Sequence, residues 1–361
     1  MMRRWSVIWL VATLMLVACG KKEQVYSQTT PLPAAPVTQP HEVSVSKGQP
    51  HSLPLRLVQT IPLLDVEGRI DHLAVDVQGQ RLFVAALGNN SLEVVDLRAG
   101  QRVHSIPNLQ EPQGVAFVPS LNRIFVANGQ SGTCDIFDGK SFNLIKGVKL
   151  GDDADNVRYD STAKRIYVGY GDGALDILNP ATGERLGDIK LDGHPESFQL
   201  EKSGSRLFVN VPGADHIAII DRAKATRITT WPLVNARSNF PMALDGTHHR
   251  LFIGCRNPAQ MLVYDTVSGK LVTRAKIDGD TDDIFYDAAH QLIYAACDEG
   301  FIDVIEQVDA DHYHPIARIA TVTGARTALF VPELRRLYLA VRRQGQQQAA
   351  VYAYAVPESG H

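Results

Sequence analysis

The residues with the most capacity for chemistry recur at regular intervals. Seven short polar segments each precede an apolar run: GRID at 68–71, EPQ at 111–113, DAD at 153–155, HPE at 194–196, RSN at 237–239, DTD at 280–282 and GAR at 324–326. Their last residues form one series, Asp71, Gln113, Asp155, Glu196, Asn239, Asp282 and Arg326. Two residues earlier stands a second series, Arg69, Glu111, Asp153, His194, Arg237, Asp280 and Gly324. In extended chain residues i and i+2 point the same way, so both series are expected around one rim. The first series sets four carboxylates against one arginine, Arg326. Like charge concentrated in this way raises a carboxylate pKa, recruits a cation, or is held by the arginine and water.

The chemistry follows from the donor types. Asp155, Glu196, Asn239 and Asp282 offer only oxygen ligands, which suit Ca²⁺ or Mg²⁺ rather than Zn²⁺. An ion there would polarise a carbonyl oxygen, with Asp71 or His194 as base. The other reading is structural, with solvent-facing turns whose acids cap backbone amides. The sequence leaves both open. Asp309, Asp311, His312 and His314 crowd a single turn, and His312 and His314 share a strand face, which reads as a solvated turn or as a transition-metal site. Gly139-Lys140-Ser141 has Cys134 where a phosphate loop needs its first glycine, and no helix follows, so it reads as a hairpin turn. Neither Gly-x-Ser-x-Gly nor His-Glu-x-x-His occurs, and the absence of Cys-x-x-Cys-His excludes covalent c-type haem.

The elements that must carry these residues are hairpins. RIYVGYGDGALDIL, 165–178, is a β-branched and aromatic run, a glycine-rich turn and a second run. Related hairpins start at Arg81, Arg123, Arg206, Arg250, Leu292 and Arg336, so successive starts are 42, 42, 41, 44, 42 and 44 residues apart. Each unit holds four short runs, such as 73–77, 81–86, 91–96 and 102–106, joined by Gly, Asn, Asp and Pro turns. A strand-only repeat of this length buries its faces only by stacking on its neighbours, which predicts an all-β, seven-bladed propeller with four-stranded blades. The WD40 variety is disfavoured, because Trp5, Trp9 and Trp231 are the only tryptophans and no Trp-Asp pair occurs. The last repeat is one strand short, while LRLVQTIPLL from Leu55 is a strand without a hairpin. Leu55 to Ile61 is therefore expected to be the outer strand of blade seven and to leave no open edge.

The runs FVANG at 125–129 and YVGYG at 167–171, each leading to an alternating strand that ends near Asp138 or Asn179, resemble the YVTN-type, YncE-like seven-bladed propellers of bacterial envelopes. The resemblance covers roughly residues 55–356. It implies fold rather than activity, since similar propellers occur in lactonases, in subunits of dehydrogenases and haem enzymes, and in proteins without assigned chemistry. Asp138 and Asn179 themselves read as turn residues.

The chain begins with a positive segment, 1–4, and a short apolar one, 5–17, and Leu16-Val17-Ala18-Cys19 matches the lipobox of bacterial lipoproteins. A signal peptide over 1–18 and a lipid on Cys19 follow, and Gly20 in place of Asp favours the outer membrane by the same resemblance. Residues 19–54 carry six prolines and few large apolar side chains, the composition of a tether, and 55–361 form one domain. Loss of Arg3 and Arg4 leaves 34 basic against 39 acidic residues, formal charge −5, so no nucleic-acid partner is expected. Cys134, Cys255 and Cys297 are odd in number. Cys255 and Cys297 occupy equivalent positions of splayed repeats, so buried thiols are expected over a disulfide. The expected role is a membrane-anchored binding or scaffolding module for a protein or small molecule. The alternatives are a metal-assisted hydrolase of the lactonase kind and a non-catalytic subunit beside a redox enzyme.

Overall fold

The computed structural model describes residues 54–357. The predicted signal peptide, Cys19 and the tether up to residue 53 lie outside the described residues. Among the described residues no helix is long and apolar enough to cross a membrane.

Seven antiparallel sheets of four strands make up the fold. Blade one contains Leu73–Asp76, Arg81–Ala86, Ser91–Asp96 and Gln101–Ile106 in that spatial order, and blades two to six repeat the pattern. The second strands begin at Arg81, Arg123, Arg165, Arg206, Arg250, Leu292 and Arg336, where the hairpin repeats were expected. Blade seven contains Ala328–Val331, Arg336–Val341 and Ala350–Ala355, and its outer strand is Arg56–Pro62. That strand pairs antiparallel with Ala350–Ala355, from Arg56 opposite Ala355 to Pro62 opposite Ala350. The first and last described strands thus meet in one sheet, and the exposed edge that a final three-stranded blade would present is covered.

The core is distributed between blades. Phe83, Ala85 and Val94 of blade one pack with Val115, Ile124 and Phe137 of blade two, and each further pair of neighbours shares such a cluster. The ring closes where Val331, Tyr338 and Val351 of blade seven meet Leu73, Leu82 and Val84 of blade one. Second strands are therefore buried on both faces, and five of the six residues of Arg81–Ala86 are buried. Double burial explains why these runs lack the period-two alternation of a one-sided sheet. Outer strands such as Gln101–Ile106 keep a solvated face.

Arginines that open the second strands also tie blades together. Arg123 Nη1 donates to Pro180 O at 2.9 Å, and Arg250 Nε to Ala310 O at 2.9 Å, each reaching a turn of the following blade. Arg81 reaches Gly139 O and Arg206 reaches Thr266 O in the same way. At the end of third strands, Asp138 Oδ1 accepts from Lys140 N and Ser141 N, and Asn179 Oδ1 from Ala181 N and Thr182 N. These are Asx turns, the role expected of both residues. Cys134, Cys255 and Cys297 are unpaired thiols buried in three separate clusters. Burial pushes the Cys255 thiol up to about 12.

Candidate functional site

Six of the seven lead-in segments contribute to the mouth of the ring, around a cavity of about 300 Å³. Asp71, Gln113, Asp155, Glu196, Asp282 and Arg326 of the first series line it, as do Arg69, Asp153 and His194 of the second. The backbone that places them is tight. Gly114 lies directly behind the Asp155 peptide, and a Cβ there would fall 2.1 Å from Asp155 O.

Asn239 is not at the mouth. Its side chain is buried between blades, where Nδ2 donates to Asn210 Oδ1 and to His216 O, both at 2.9 Å. The cause is a shift of one residue in blade five. Asn239 pairs with Cys255 as Thr281 pairs with Cys297, so the partner of Asp282 in blade five is Phe240, which lines the cavity. Ser238, at φ 59°, then corresponds to Asp280, at φ 52°. The second series also departs from extended chain. Glu111, Asp153 and Asp280 have φ between 52° and 55°, in the left-handed region, so spacing by two does not impose a common direction. Glu111, Arg237, Asp280 and Gly324 lie off the cavity lining, although Asp153 is in it, and Arg237 is exposed with its Nε 3.8 Å from Asp215.

One side of the mouth, built by blades five to seven, is a closed ion-pair network. Arg256 Nε lies 2.7 Å from Asp280 Oδ1, and its Nη2 bonds Asp282 Oδ1. Arg326 Nε lies 2.5 Å from Asp282 Oδ2, and its Nη1 bonds Asp280 Oδ2. Two carboxylates thus lie between two guanidiniums, and the Arg256 guanidinium also sits 3.5 Å from the Phe240 ring centroid.

In blade one Arg69 bonds Asp71, whereas the side built by blades three and four is open. Asp155 is 7% exposed, its Oδ1 has no hydrogen-bond partner, and it lines the cavity. His194 Nδ1 lies 2.8 Å from Gly171 O. A carbonyl only accepts, so Nδ1 carries a proton, while Nε2 lies 3.8 Å from Asp155 Oδ2. Ligand atoms of Asp155, His194 and Glu196 all lie within 4.8 Å of one another. Burial, then the Asp155 charge, pushes the Glu196 carboxyl up to about 8. Burial works to lower the His194 pKa, but hydrogen bonding to Asp155 and Gly171 and the nearby carboxylates outweigh it and hold the imidazole at about 9. Asp155 is held below the usual carboxylate range, because bonding to His194 and the charges of His72 and His194 outweigh its burial.

His72, absent from both series although next to Asp71, lies below this side. Its Nε2 is 3.9 Å from Asp71 Oδ1 and 4.0 Å from Asp155 Oδ1, and its Nδ1 is 3.9 Å from Asp283 Oδ2. It lines both the mouth and a second cavity of about 300 Å³ between the inner strands, walled by Val75, Phe117, Tyr159 and Phe285. Burial pushes the Asp283 carboxyl up to about 7 against the opposing His72 charge. Arg256, Phe240, His72 and Asp283 are the site residues that the repeat alignment missed. Aligning the apolar Met242 with Ile284, rather than the polar Asn239 with Asp282, is the signal that places Phe240. Arg256 stands at the end of a second strand and had no counterpart in the lead-in segments.

These features define a seven-bladed β-propeller with a charged mouth. A hydrazine synthase chain of Kuenenia stuttgartiensis has the same fold at TM-score 0.68 and 16% identity, over 76% of this chain and 94% of that one. In all, 1832 solved chains resemble this one, a breadth that makes the likeness a statement of fold and not of activity. No family model and no curated protein matches the sequence.

Proposed function

We propose that this protein is a binding propeller of the YVTN type, held on the outer side of a bacterial membrane by a lipid on Cys19, which takes positively charged ligand groups at the open side of its mouth. The observation that carries the ligand reading is Asp155 Oδ1, which accepts no hydrogen bond although it belongs to a buried residue that lines the cavity. A buried acceptor without a donor costs about 1–3 kcal/mol, which a cationic group donating to it would recover. The arginines do not reverse this preference, because Asp71 pairs with Arg69, and Asp280 and Asp282 neutralise Arg256 and Arg326. The lipobox at 16–19 and the proline-rich segment after it support display away from a bilayer.

The ligand reading is tested by calorimetry on the full chain in detergent with chelator present, using diamines, polyamines and basic amino acids against dicarboxylates and sugar phosphates. Saturable binding of cations, lost in Asp155→Asn and Glu196→Gln, is expected. Binding of anions alone, or cation binding that survives both substitutions, would overturn it. For the anchor, Cys19→Ala should move the protein from the membrane to the soluble envelope fraction, and an unchanged distribution would exclude the lipid.

A further inference from the structure

We infer that Asp155, His194 and Glu196 form a binding site for a first-row divalent transition metal such as Zn²⁺ or Mn²⁺. The inference rests on the reading of the mouth as a cation site and names the cation. Three observations carry it. One imidazole and two carboxylates from adjacent blades bring ligand atoms within 4.8 Å of one another. Asp155 Oδ1 is buried and unpartnered, as is Oδ1 of its neighbour Asn156, and both residues line the same cavity. The bond from His194 Nδ1 to Gly171 O, at 2.8 Å, keeps Nδ1 as a donor, so Nε2 is the nitrogen that a metal would take by displacing its proton. A backbone carbonyl behind the imidazole is the usual support of a metal-bound histidine.

The donor set selects the metal. Ca²⁺ takes six to eight oxygens and Mg²⁺ keeps most of its water, so an imidazole disfavours both, whereas Zn²⁺ and Mn²⁺ accept mixed nitrogen and oxygen ligands. Asp282 and Asn239 do not join the set, since Asp282 is held by two arginines and Asn239 is buried between blades. With three protein ligands, the remaining coordination positions would face the cavity, where a ligand or water enters.

The test is a titration of the full-length, chelator-stripped protein with Zn²⁺ alone and with Mn²⁺ alone, followed by calorimetry, with Co²⁺ absorption as a report of nitrogen ligation. One equivalent of Zn²⁺ or Mn²⁺ is expected to bind, Ca²⁺ and Mg²⁺ should not displace it, and His194→Ala and Glu196→Gln should each weaken it by about 100-fold or more. His312→Ala removes the competing histidine at the exposed Asp309 turn and should leave binding intact. The melting temperature of each metal-free variant reports whether it folds, and Glu196→Gln keeps volume and polarity if His194→Ala does not. Absence of binding, binding that survives both mouth substitutions, or binding lost in His312→Ala would overturn the inference. If polyamine binding in chelator still depends on Asp155 and Glu196, the cation-binding mouth stands and the metal alone fails.

Discussion

The two sides of the mouth are built from the same repeat position, yet they have opposite electrostatic states. On the side of blades five to seven, Asp280 and Asp282 are each bonded to both Arg256 and Arg326. On the side of blades three and four, Asp155 keeps an unbonded oxygen and the Glu196 carboxyl has no hydrogen-bond or ion-pair partner among the described residues. Acidic residues at equivalent positions of a ring are therefore not equivalent as ligands. What separates them is whether a neighbouring blade supplies a guanidinium, and Arg256 does so from the end of a strand outside the lead-in pattern.

Breaking the closed side should have the largest effect. Arg326→Ala leaves Asp280 and Asp282 sharing Arg256 alone, and is expected to cost roughly 3 kcal/mol in urea denaturation, at the low end for buried pairs because the arginine is partly exposed. A cost near zero would mean that the network is solvated and that the two sides differ less than their geometry indicates. Asn239→Ala comes next, at about 2 kcal/mol, since it deprives Asn210 Oδ1 and His216 O of their donor. Ligand binding at the mouth should be unchanged by it, and a binding defect at full stability would restore Asn239 to the rim.

On the open side the sign reverses. The Glu196 pKa is raised from 4.5 to about 8 on folding, so the native state holds the proton more tightly than the unfolded chain. The stability this contributes is full below pH 4.5 and is lost progressively as the pH rises to about 8. In chelator, Glu196→Gln should remove that slope and raise stability at pH 8, whereas an acidic residue already paired would lose stability on the same change. The smallest effect is expected from Phe240→Ala, below about 1 kcal/mol, because the partly exposed Arg256 loses its aromatic face but keeps both carboxylates. Loss of Arg256 ordering in the variant, read from amide or side-chain exchange, would sharpen the division between the two sides.

Much of the ring is present in the sequence because its information is local and repeated. The second strands start where the hairpin repeats do, and the unpaired run after Leu55 and the short seventh repeat together require the closing strand, seen as Arg56–Pro62 against Ala350–Ala355. Asx turns at Asp138 and Asn179 follow from residue type alone. Six of the seven first-series residues line the mouth for the same reason, the repeat fixing both their depth and their direction. Blade five escaped because its nine-residue inner strand, Arg237–Asp245, carries an irregularity between Asn239 and Met242, and a polar residue one position too early mimicked the series. Tertiary structure alone decided which acids pair. Arg256 reaches Asp280 and Asp282 across a blade boundary, and His72 faces Asp71, Asp155 and Asp283 from three blades. Repeats specify each blade from within, but charge compensation depends on distances between blades, and these are set only when the ring closes.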